Sequence, residues 1–80
     1  MEIKMFYKTQ RELGEAINKV VDSYLSDEID ENDLIKTIKF LNENNYSKLV
    51  KDKKFTTVIK QQCGKRRLEV VNRILSIEDD

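Results

Sequence analysis

The chain has no proline, no histidine, one cysteine and two glycines among its 80 residues. With so few helix breakers and turn formers, it reads as mostly helical rather than as a turn-rich sandwich or barrel. The missing histidine removes the commonest general base and the commonest metal ligand. One cysteine makes no internal disulfide, which points to a reducing compartment. The opening residues, Met1-Glu2-Ile3-Lys4-Met5-Phe6-Tyr7, lack the apolar core of a signal peptide. No run approaches the ~20 apolar residues of a membrane span. Together these absences predict a soluble cytoplasmic protein with no membrane partner.

Apolar residues make up 39% of the chain, enough for one compact core, and charged residues 38%, well above the ~25% of an average domain. The length is that of one domain, near the lower limit for an unassisted core. Net charge is zero but polarised: residues 1–45 hold 6 Lys/Arg and 10 Asp/Glu, whereas residues 46–76 hold 9 and 2. Such asymmetry fits either an anionic partner for the basic half, nucleic acid or an acidic protein surface, or two halves that complement each other within the fold.

Thr9 and Glu12 form an S/T-x-x-E capping box that opens the first helix. Leu13, Ile17, Val20, Val21, Tyr24 and Leu25 follow as one stripe of a 3.6-residue period. Gly14 inside that helix costs about 1 kcal/mol against alanine and leaves room for a close neighbour. Asp30 caps the second helix, with Glu31 and Asp33 in its first turn. Ile29 and Leu34 have the spacing of a hydrophobic staple. Leu34, Ile35, Ile38 and Leu41 make its buried stripe, and Asn44-Asn45 reads as a left-handed C-cap. The short connection implies antiparallel neighbours.

In the second half, Tyr46 to Asp52 reads as a short helix capped by Ser47, with Leu49 and Val50 inward. Lys51-Asp52-Lys53-Lys54 reads as an exposed loop. Thr56 or Thr57 caps a helix through Val58, Ile59 and Cys63, and Gly64 ends it. A last helix carries Leu68, Val71, Ile74 and Leu75; one continuous helix from Thr57 to Ser76 would break its stripe at Arg66 and Arg67. Residues 1–8 alternate as an extended arm, and residues 77–80 form a frayed acidic tail. The expected fold is all-α, a single bundle of about four helices across residues 9–76. Its core is Leu13, Ile17, Val20, Val21, Tyr24, Leu34, Ile35, Ile38, Leu41, Leu49, Ile59, Leu68, Val71, Ile74 and Leu75.

Nothing supplies a nucleophile–base pair, so no catalytic residue, cofactor or enzyme activity is expected. Lys65, Arg66 and Arg67 beside Cys63 are able to lower its pKa, but a cysteine in a helical stripe reads first as a small buried hydrophobe. The oxygen-rich Asp27 to Asp33 run fails as a calcium loop: counting from Asp27, the sixth residue is Asn32 instead of glycine and the twelfth Ile38 instead of glutamate. No metal site is expected.

The stretch Cys63-Gly64-Lys65-Arg66-Arg67-Leu68 puts three cations at a helix start, where the macrodipole opposes each by ~0.3–1 kcal/mol. A broken local rule without structural gain often marks function. Thr56 to Leu75 can be laid on a DNA-binding helix-turn-helix with Gly64 in the turn, although Lys65 stands where that motif has an apolar residue. Gln62-Cys63-Gly64-Lys65 resembles half of a helix-hairpin-helix turn, with Gln62 in place of its first glycine. The third reading is a solvated face beside an ordinary glycine C-cap. The candidate partner-binding residues are Lys60, Gly64, Lys65, Arg66, Arg67 and Arg73. The leading expectation is a small non-enzymatic module that binds another protein through its charge-polarised surface, with an apolar patch drawn from Phe6, Tyr7, Phe40 or Phe55; the alternative is DNA binding by the basic half. No feature sets an oligomeric state.

Tyr7-Lys8-Thr9, the helix from Ala16-Ile17 to Tyr24-Leu25, and Gly64-Lys65-Arg66-Arg67-Leu68-Glu69 resemble a family of short uncharacterised helical proteins of clostridia and related Firmicutes. The resemblance covers most of the chain. It implies a bacterial or phage origin and carries no mechanism.

Overall fold

The computed structural model of the chain describes residues 2–77. Three helices dominate: α1 (Gln10–Leu25), α2 (Glu31–Leu49) and α3 (Thr57–Leu75). A small antiparallel hairpin, β1 (Val50–Lys51) and β2 (Lys54–Phe55), stands between α2 and α3. The predominantly helical fold follows from the sequence; the expected count of about four helices does not. No helix among the described residues is long and apolar enough to cross a membrane.

Thr9 caps α1: its hydroxyl oxygen accepts from the Glu12 backbone N–H at 3.0 Å. The reciprocal half of the box differs from expectation, because the Glu12 carboxylate accepts from the Thr9 hydroxyl at 3.3 Å. Asp30 caps α2 through the Asp33 N–H at 2.8 Å. Between the two helices the chain turns with Asp27 in the left-handed region. Ile29 packs on the core and Leu34 is buried, as a hydrophobic staple requires.

The end of α2 corrects three expectations. Asn45 leaves helical geometry at φ −136°, not in the left-handed conformation of a C-cap. Its buried amide explains the kink. Nδ2 donates to the Leu41 and Met5 carbonyls at 3.1 and 2.9 Å, and Oδ1 accepts from the Tyr7 N–H at 3.0 Å. One side chain thus holds both a distorted helix turn and the irregular N-terminal segment. Tyr46 to Leu49 resumes the helix for one turn after this kink and stops at Leu49, short of the Asp52 expected. The Lys51–Lys54 loop is a hairpin pairing Val50 with Phe55 and Lys51 with Lys54. Asp52 and Lys53 take φ 53° and 66°, the two positive φ values of a type I′ turn, which normally selects Asn-Gly or Asp-Gly. Without those residues the hairpin leaves little trace in the sequence.

The core joins Leu13, Ile17, Val20 and Val21 of α1, Leu34, Ile38, Leu41 and Leu49 of α2, Val50 and Phe55 of the hairpin, and Ile59, Cys63, Leu68 and Val71 of α3. Val50 and Phe55 enter it because the hairpin folds back over the helices. Tyr24, Ile35, Ile74 and Leu75, expected in the core, are only partly buried. Thr56 occupies the N-cap position of α3 but makes no cap bond there. Its hydroxyl donates instead to the Lys48 carbonyl at 3.1 Å, tying the hairpin closed. Of the expected acidic tail, residues 78–80 lie outside the described residues.

Candidate functional site

Gly64 interrupts α3 at φ 80°, ψ 164°, a conformation that side-chain-bearing residues adopt only with strain. Helix ends leave carbonyls without helical donors. Here two side chains serve the carbonyls before the break. Asn18 Nδ2 donates to the Gln62 carbonyl at 3.0 Å, and Arg67 Nη1 to the Cys63 carbonyl at 3.2 Å.

The break is held by one stripe of α1. Gly14, Asn18 and Asp22 are spaced four apart and lie on one side of the helix. A Cβ at Gly14 would stand 2.9 Å from Gln62 Cβ and 2.7 Å from its Cγ, so the glycine permits α3 to approach. Asn18 serves the break itself. Asp22 takes both ends of the Arg67 guanidinium, from Nε to Oδ1 at 2.9 Å and from Nη2 to Oδ2 at 3.0 Å. Hydrogen bonding from Arg67 holds the Asp22 carboxyl below its ordinary value, and Asp22 raises Arg67 in turn. Neither Asn18 nor Asp22 stood out in the sequence. Their only signal was a four-residue spacing beside the apolar stripe.

These contacts aim the second segment of α3, which begins at Lys65. Lys65, Arg66 and Arg73 are exposed. Residues 65, 69 and 73 follow one another at helical spacing, and 66 and 73 are two turns apart, so the three cations share one face with Glu69 among them. Among the described residues, none of the three is in an ion pair. Arg67 stands apart from this face, committed to α1. Lys60 is exposed on the first segment, on the far side of the break.

Cys63 is 3% exposed. Its Sγ lies 3.5 Å from the Gly14 carbonyl, to which the thiol donates. Burial pushes the thiol up to about 11 against a smaller opposing pull from Arg67. The neighbouring cations therefore do not activate it, and a neutral thiol is a poor nucleophile.

The motif readings of this segment meet specific geometry. A helix-turn-helix uses a turn of three or four residues, whereas here only Gly64 departs from helical geometry. In place of the first glycine of a helix-hairpin-helix turn, Gln62 is helical and its carbonyl is capped. Of the aromatic residues expected on a protein-binding patch, Phe6 and Phe40 are exposed, while Phe55 is in the core and Tyr7 packs against it.

A family model described as a conserved hypothetical protein matches residues 4–76, in agreement with the resemblance seen in the sequence. No curated protein and no solved structure matches the chain.

Proposed function

The chain belongs to this conserved family, and we propose that it acts as a non-enzymatic module that binds the acidic surface of another protein. The carrying observation is the face of Lys65, Arg66 and Arg73, which stays open to solvent on a helix segment anchored by Gly14, Asn18 and Arg67. Unpaired cations on a rigid element steer association and select partners of opposite charge.

Glu69 favours a protein over DNA. It sits at the centre of the three cations, where a phosphate backbone would meet a carboxylate, whereas a protein surface of mixed charge can match it. The DNA reading draws on the same cations and on the exposed Lys51, Lys53 and Lys54 of the hairpin. The triple variant K65Q/R66Q/R73Q separates the readings. It should fold as the parent does, because among the described residues none of the three is in an ion pair. Nuclease-treated capture from source-cell extract should lose a specific protein with this variant, while duplex DNA is retained at background by both proteins. Unchanged capture by the triple variant refutes the proposal. Parent retention on DNA with a steep salt dependence, flattened in the variant, establishes the alternative.

A further inference from the structure

Beside the basic face runs an apolar groove. Leu34 and Ile35 of α2 and Val70 and Ile74 of α3 line it, with Tyr24 from the end of α1, and its volume is about 310 Å³. It explains why Tyr24, Ile35 and Ile74 stay partly exposed although their periodicity marks them for the core. One ridge of each helix forms a wall: Glu31, Ile35 and Lys39 recur every four residues on α2, as do Val70 and Ile74 on α3.

Among the described residues, the rim carries Lys39 and Arg73 against the single carboxylate of Glu31. Arg66 lies one turn before Val70 on the same side of α3 and extends the positive edge. Arg73 belongs to both the groove and the basic face, so an occupant of the groove touches both. We infer that the groove receives an amphipathic helix of the partner protein, with two apolar side chains one turn apart on the floor and acidic residues flanking them toward Lys39 and Arg73. Helix-in-groove recognition uses this spacing of anchors, and the net positive rim selects carboxylates. The inference rests on the proposed binding of an acidic protein surface and names the form that surface takes.

The test uses the full chain with two synthetic peptides of the same composition. In one, leucines recur at helical spacing with glutamates beside them; the other is scrambled. Methyl NMR should show saturable shifts at Leu34, Ile35, Val70 and Ile74 with the amphipathic peptide and none with the scrambled one. K39Q/R73Q should weaken binding by about five- to tenfold at low salt, and Ile35→Asn by about tenfold or more. Equal binding of both peptides, or shifts confined to other surfaces, overturns the inference. Charge-dependent binding without shifts in the groove does so too while leaving the basic-face reading intact. Concentration-dependent shifts of the same methyls without peptide, with dimer in sedimentation, would assign the groove to a second copy of the chain and overturn it as well.

Discussion

Arg67 holds Asp22 in a two-point ion pair across 45 residues of sequence, and the same guanidinium donates to the Cys63 carbonyl. A cation that the sequence offers for partner binding is therefore part of the joint between α1 and α3. Fork geometry of this kind belongs to arginine, because lysine cannot present two parallel donors to a carboxylate.

Replacing Asp22 by Asn should cost about 0.2–1 kcal/mol, the range of a partly exposed pair. The carboxyl titrates below its ordinary 3.8 in the folded chain. Its contribution is therefore complete above the unfolded-state value and disappears as pH falls through the lower folded one. Denaturant midpoints of parent and D22N should differ at pH 7 and converge as the pH falls below the ordinary carboxylate value. A difference that persists undiminished in acid would show that the pair does not carry it.

The two glycines should fail for different reasons. Gly14→Ala gains about 1 kcal/mol of helix propensity but drives a methyl into Gln62, and the net should be a loss of about 1–3 kcal/mol. Gly64 has open space around it, so Gly64→Ala should lose about 1–3 kcal/mol through its positive φ alone. A D-alanine at position 64, introduced by chemical synthesis, should restore stability, and one at position 14 should not. Rescue at both positions would remove the distinction between crowding and backbone conformation.

Asn45→Ala leaves the Tyr7 N–H and two carbonyls without their partner and should cost about 1–3 kcal/mol. Hydrogen exchange supplies the specific readout. The Tyr7 amide, bonded to Asn45 Oδ1, should exchange faster in the variant by a larger factor than amides in the middle of α1. Equal acceleration everywhere would mean that Asn45 stabilises the fold without pinning the N-terminal segment.

Cys63 should react with a disulfide reagent at pH 8 only on the timescale of unfolding, since its thiol is buried and titrates near 11. A raised thiol pKa contributes stability that is complete below the ordinary value of 9.0 and is lost as pH rises toward the folded one. The parent should therefore lose stability between about pH 9 and 11 by more than Cys63→Ala does. Rapid labelling of the native protein would contradict the buried position.

Much of the helical plan was legible. Thr9 and Asp30 announced the starts of α1 and α2, and the stripe from Leu13 to Val21 named that helix's buried face. The interruption at Arg66 and Arg67 pointed to the break at Gly64. The hairpin is not legible, because Asp52-Lys53 carries no glycine at its left-handed positions, and without the hairpin Phe55 reads as a surface residue. Asn44-Asn45 looked like a helix stop, whereas Asn45 is a buried anchor for residues forty positions earlier.

The division follows the range of the forces. Caps, staples and apolar stripes act between residues three or four apart, so the chain by itself determined its helices and most of their buried faces. What Gly14, Asn18, Asn45 and Arg67 do depends on groups 38 to 49 residues away, and a residue type states only what it can bond, not which partner will arrive. Only tertiary packing decided that Arg67 turns to Asp22 while Lys65, Arg66 and Arg73 face solvent. It also left Ile35 and Ile74 half-buried along the groove between α2 and α3.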